Sequence, residues 1–205
     1  DMEIPFTQSE ILNAKKKLII SNGLKDAYVR PIAWRGSEMM AVSAQKTTIN
    51  VAIASWAWPS YFDPSEKMKG IKLDIAKWKR PDPNCAPVHV KASGLYMICT
   101  LSKHDAEAKG YSDALMLDWR DLIAEATGAN IFFKFKDGNL YTPKPDCFLD
   151  GITRRTVIKL AKDLGVNTIE KQLRLEDIHD AEECFLTGTA AEVTPVSQIG
   201  EDIKF

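Results

Sequence analysis

Between residues 56 and 64 the chain reads Trp56-Ala57-Trp58-Pro59-Ser60-Tyr61-Phe62-Asp63-Pro64. Proline cannot donate to a sheet ladder and breaks a helix interior, and the aromatic side chains here keep neither a helical nor a strand period. The stretch therefore reads as a loop joining two folding units, residues 1–62 and 63–205. This break constrains the fold most, because it divides the chain into two folding units. A length of 205 residues, 45% of them hydrophobic, is sufficient for that. Lys and Arg number 27 against 28 Asp and Glu, a net charge of −1. So much apolar surface with so little net charge excludes disorder, and no basic excess exists to neutralise the phosphates of a nucleic acid. The apolar runs fall well short of the roughly 20 residues of a membrane helix.

On either side of the loop, strand and helix patterns alternate. Thr7 followed by Glu10 has capping-box spacing ahead of an apolar stripe at Ile11, Leu12, Leu18 and Ile19, with Gly23 able to end the helix. Residues 27–34 and 48–56 are rich in β-branched and aromatic side chains and read as strands. After the loop, 71–75 reads as a strand, 91–109 as a helix for most of its length, and 113–117 and 122–126 as strands. Residues 131–141 form a hairpin turning on Asp137-Gly138. Thr153 is expected to cap a helix that Gly165 stops. A short helix near 175–181, a strand at 183–187 and a Gly188-Thr189-Ala190 turn follow. Interleaved elements with several hairpins give a mixed α/β fold with much antiparallel sheet, not a doubly wound parallel one.

Cys85, Cys99, Cys147 and Cys184 are widely spread, with no C-x-x-C pair, which suits a reducing, cytoplasmic compartment. With His89, His104 and His179 they form no zinc-ligand spacing, so no metal site is expected. The chain opens on Asp1 without a signal-peptide pattern, and reads as a piece of something longer.

Three short segments carry possible chemistry. Gly151-Ile152-Thr153-Arg154 is a glycine turn entering a helix, where free N–H groups and the positive end of the helix dipole suit a phosphate. An ordinary capped helix start would look the same. Gly188-Thr189-Ala190-Ala191 lets a ligand approach backbone N–H groups closely, although small residues also end strands for packing alone. Lys91, between Pro87-Val88-His89-Val90 and Ala92-Ser93-Gly94-Leu95-Tyr96, is either a desolvated nucleophilic amine or a lysine snorkelling from a helix end.

Taken in order, Tyr28-Val29-Arg30-Pro31, Lys91 to Tyr96, Glu125 ahead of Gly128-Ala129-Asn130-Ile131-Phe132, Gly151 to Arg154, and Gly188 to Pro195 resemble one family. It is that of the fold-type IV pyridoxal-phosphate (PLP) aminotransferases, and most closely the branched-chain amino-acid aminotransferases. The resemblance runs from about Asp26 to Val196. It implies a small α/β domain followed by a large β-pseudobarrel-like domain with helices. It also implies that the chain lacks an N-terminal stretch, which in the family holds a further phosphate-binding arginine, and a C-terminal continuation.

The resemblance further implies that Lys91 forms the Schiff base with PLP, Glu125 pairs with the pyridine nitrogen and Tyr96 bonds the ring oxygen. Leu149 would pack on the ring face, and Ile152, Thr153 and Thr189 would hold the phosphate. Thr189 and Ala190 would receive the substrate α-carboxylate with Tyr28 nearby, Arg30 would bind the glutamate side chain, and Trp58 and Tyr61 would close over the substrate. The implied reaction is transamination of Leu, Ile or Val with 2-oxoglutarate by a homodimer. The D-amino-acid aminotransferases and aminodeoxychorismate lyases share the lysine and carboxylate. Tyr28 to Pro31 together with Gly188 to Glu192 lean toward branched-chain L-substrates. A rival of another class is a binding domain that keeps the fold without the reaction.

Overall fold

Thr7 Oγ1 accepts from the Glu10 N–H at 3.2 Å while the Glu10 carboxylate accepts from the Thr7 N–H at 2.8 Å. This reciprocal cap satisfies orphan donors at both positions and starts helix α1 (Gln8–Ser21), which Gly23 leaves with φ +65°. The structure is a computed structural model and describes residues 2–205. Ile11, Leu18 and Ile19 are the half-buried side of α1, whereas Leu12 stays exposed. Strands β1 (Tyr28–Arg35) and β2 (Ile49–Trp56) pair antiparallel from Tyr28↔Trp56 to Arg35↔Ile49. With α1 they make the first of two compact units, Asp1–Pro59.

The second unit is Ser60–Phe205. In order it holds α2 (Pro64–Lys69), β3 (Ile71–Ile75), α3 (Tyr96–Ala108), β4 (Asp113–Leu117), β5 (Ile123–Ala126), β6 (Asn130–Phe135), β7 (Leu140–Thr142), α4 (Ile152–Asp163), β8 (Thr168–Glu170), β9 (Ala181–Gly188), β10 (Glu192–Ile199) and β11 (Ile203–Lys204). The strands form one sheet in the order β5-β4-β3-β10-β9-β6-β7-β8, with β11 on β10. Pairings β4/β5, β6/β7, β6/β9, β9/β10 and β10/β11 are antiparallel, and β3/β4, β3/β10 and β7/β8 are parallel. The fold class is therefore mixed α/β with a mainly antiparallel sheet. Ile71, Leu73, Leu115, Ile131, Phe133, Leu186 and Ile199 share one core, and Phe62 packs into it. That contact explains why the unit begins before Phe62, slightly earlier than the loop composition suggests.

Several local expectations change. Helix α2, unanticipated, starts at the last residue of the loop stretch: Asp63 Oδ1 accepts from the Ser65 N–H at 2.8 Å, and Pro64 takes the first helical position, where no N–H is needed. The helix expected from Lys91 starts only at Tyr96, after a 3-10 turn at Ser93–Leu95. Pro87 to Val90 is a set of tight turns rather than a strand lead-in, because Val88, Val90 and Ala92 donate to Ala86, Pro87 and Val90. Gly151, not Thr153, is the N-cap of α4. Strand β10, unanticipated, carries Pro195 in mid-strand; β3 joins β10 only from Val196, so the missing N–H of Pro195 breaks no bond to β3. Among the described residues no helix is long and apolar enough to cross a membrane.

One buried cation fastens α4 to the sheet. Arg154 is 1% exposed and reaches Asp150 at 2.8 Å, Glu170 of β8 at 2.7 Å and the Pro143 carbonyl at 3.0 Å. Arg154→Ala removes these bonds and leaves a void, so urea unfolding should show a loss of about 2–4 kcal/mol.

Candidate active site

Strand β5 is buried along its length and carries Glu125 inward, opposite Met116 of β4. Its side chain is 10% exposed, with Arg80 Nε 3.5 Å from Oε1. Burial pushes the Glu125 carboxyl up to about 8, while the positive charges of Arg80 and Lys91 pull it back. Asn130 Nδ2, at the start of β6, lies 3.4 Å from the other Glu125 oxygen and donates to the Leu149 carbonyl at 2.9 Å. Asn130 Oδ1 accepts from the Gly151 N–H at 3.2 Å. A Cβ on Gly151 would stand 2.3 Å from that oxygen, so only glycine fits there.

Lys91 Nζ donates to the Tyr96 hydroxyl at 2.7 Å. The side chain is exposed, which matches the snorkelling alternative rather than the desolvated one. Ile152 and Thr153 form the first turn of α4, where no side chain caps the helix. Its first N–H groups and the positive end of its dipole therefore suit an anion. Thr189 belongs to the turn between β9 and β10.

These parts line one cavity of about 330 Å³. Its walls include Lys91, Tyr96 and Glu125, then Leu149, Ile152, Thr153 and Thr189. Arg80, Asn130 and Thr187 also line it, and sequence reasoning gave them no role. Arg80 sits in a charged loop without any period, and Asn130 lies inside a quoted motif where nothing local marks it as a bridge. Thr187 is one residue before Gly188, and its buried hydroxyl has no hydrogen-bond partner among the described residues.

The remaining candidates lie elsewhere. Ala190 is outside the lining, one residue beyond Thr189. Tyr61 belongs to the second unit, stacked edge-on against Phe62, and its hydroxyl would be 3.6 Å from a Cβ placed on Gly128. Tyr28, Arg30 and Trp58 belong to the first unit and cluster there. Tyr28 and Trp58 rings are 5.2 Å apart, and the Arg30 guanidinium lies 5.2 Å from the Tyr28 ring. Trp58 and Tyr61, read together from the sequence, thus fall in different units.

Comparison with known proteins bears on what this arrangement is for. The model of the family described as amino-transferase class IV matches residues 1–199. A probable branched-chain-amino-acid aminotransferase of Rickettsia conorii is 43% identical over 198 residues, which is 97% of this chain and 67% of that protein. The crystal structure of a branched-chain aminotransferase from Thermoproteus uzoniensis with norvaline superposes with a TM-score of 0.93 at 33% identity, covering 100% of this chain and 68% of that one. That of a branched-chain amino acid aminotransferase from Thermobaculum terrenum, in its PLP-bound holo form, gives 0.88 at 30% identity, covering 99% and 66%. The chain thus spans about two thirds of the length of these proteins.

The buried carboxyl makes folding sensitive to pH. Folded Glu125 keeps its proton up to about 8, whereas the unfolded chain releases it near the ordinary value of 4.5. The folded form binds the extra proton across that window, so this group's contribution to stability falls as pH rises through it. Glu125→Gln cannot titrate. The cofactor-free variant should melt close to the native chain at pH 5, then exceed it by several degrees at pH 8.5, on the order of a few kcal/mol.

Proposed function

The chain belongs to the class IV aminotransferases, and we propose that it transfers the amino group of Leu, Ile or Val to 2-oxoglutarate with PLP as cofactor. The observation that carries this reading is the meeting of an amine, a buried carboxylate and an uncapped helix start on one cavity wall. The cavity falls in the size range of small-molecule sites. The unpartnered Thr187 hydroxyl in the same lining also fits a polar ligand. PLP, when bound, supplies an electron sink for the pair left when a substrate Cα loses its proton.

The residues would divide the work by their chemistry. Lys91 would hold the cofactor through its amine and, when free, take and return the proton at the substrate Cα. Tyr96, bonded to that amine at 2.7 Å, fixes its direction. Glu125 would face the pyridine nitrogen, where an adjacent anion favours the protonated ring. The N–H groups of Ile152 and Thr153, with Thr189, would hold the phosphate at the positive end of α4, and Leu149 would cover a ring face. Thr189 and Ala190 are proposed for the substrate α-carboxylate. Tyr28, Arg30, Trp58 and Tyr61 are proposed as substrate contacts on sequence grounds, Arg30 for the glutamate side chain because a guanidinium pairs well with a carboxylate. The branched-chain choice rests on the activities named for the relatives. The four free cysteines support a reducing, cytoplasmic setting, and a homodimer is the assembly proposed.

The chain incubated with PLP should turn yellow, and borohydride should then fix the cofactor to the peptide containing Lys91. L-leucine with 2-oxoglutarate should yield glutamate, and Lys91→Ala should lower that turnover by about a thousandfold. Turnover of D-alanine in preference to L-leucine, or of aminodeoxychorismate, would reassign the chain within its family. No colour and no labelled peptide would leave a binding domain without the reaction.

A further inference from the structure

Burying a carboxylate is costly unless a positive charge comes with it, and the surroundings of Glu125 contain one standing candidate. Four titratable or charged groups stand close enough to Glu125 to interact with it from the elements packed around it. Arg80 comes from the loop after β3, Lys91 from the segment before α3, Cys99 from α3 and Cys147 from the segment after β7. Burial raises both thiols, so the cysteines stay neutral and contribute no cation. Lys91 is the amine that the proposed reaction consumes and releases, so its charge is not constant through a cycle. A guanidinium does not lose its proton in a protein.

Arg80 is also built to serve Glu125. It is 3% exposed, and Glu125 is the carboxylate it pairs with among the described residues. Its other side-chain contacts are neutral: Nε lies 3.4 Å from the Cys147 carbonyl and Nη1 3.7 Å from Cys99 Sγ. Its backbone is pinned as well, since the Arg80 N–H donates to the Leu117 carbonyl at 2.8 Å at the end of β4, the strand paired with β5. Asn130 approaches the second Glu125 oxygen as a neutral amide.

We propose that Arg80 is a positioning residue whose fixed charge eases the ionisation of Glu125 inside the cavity and orients one carboxylate oxygen by ion pairing. The consequence for cofactor binding rests on the reading of Glu125 as the partner of the pyridine nitrogen, because a carboxyl that holds its own proton more tightly favours the protonated ring less. Without Arg80, Glu125 would keep its proton to higher pH.

The test begins on the cofactor-free chain carrying 13C-carboxyl glutamate, with Glu125→Gln identifying the resonance. In Arg80→Met the Glu125 titration midpoint should move up by at least one pH unit, tenfold in the ionisation equilibrium, and Arg80→Lys should restore most of the difference. Arg80→Gln is the second neutral variant, able to keep the contact with the Cys147 carbonyl if the methionine variant does not fold. PLP titrated by absorbance at pH 7 should bind about tenfold more weakly to the neutral variants, with the deficit shrinking at higher pH. A folded neutral variant with an unmoved midpoint overturns the proposal, whatever its melting temperature. A moved midpoint with unchanged PLP affinity keeps Arg80 in its role and overturns the pyridine role of Glu125.

Discussion

A carboxylate enclosed in β5 is the constraint around which the second unit is arranged. Once Glu125 faces inward, water cannot solvate it, and the chain must bring polar partners from distant sequence positions. Arg80 arrives from the loop after β3, and Asn130 from the first position of β6. Asn130 extends the arrangement further, because its amide also bonds the Leu149 carbonyl and the Gly151 N–H. One side chain therefore sets the spacing between the acidic group and the start of α4. A site that must grip an anion at one place and face an acid at another needs that spacing held by rigid strands rather than by a loop.

The short-range chemistry of the fold was legible in the sequence wherever a few adjacent residues decide it. Thr7 and Glu10 cap α1 as their spacing demands, Asp137-Gly138 turns the β6–β7 hairpin with Gly138 at φ +78°, and Gly165 leaves α4 at φ +76°. Where the reading failed, competing local bonds decided. The turns at Pro87 to Val90 consume backbone groups that a strand would have needed. The N-cap of α4 is a glycine with no side chain to give a capping signal, and its N–H goes to Asn130, a partner distant in sequence. Strand β10 is hidden by Pro195, harmless because its neighbour joins one residue later.

The site divides the same way. Lys91, Tyr96, Glu125 and the two glycine turns stand in short recognisable segments, so the family resemblance could name them. Arg80 and Thr187 could not be named, because their meaning lies in burial and in which strand passes beside them. An arginine in a charged loop looks like a solvated surface residue until β4 is seen to pin its backbone. The pattern is general: the groups that touch a ligand cluster in sequence motifs, while the groups that tune them are assembled by the fold.

The contact between Gly151 and Asn130 carries a consequence for how such a chain can vary. The glycine is held by the amide oxygen opposite it, not by its own backbone angle, which at φ −63° any residue could adopt. A larger side chain at 151 therefore becomes admissible only if 130 gives up its amide, and that change would also release the Leu149 carbonyl and one side of Glu125. A side chain at 151 thus has to wait for a change at 130, whereas 130 can change first without meeting this clash.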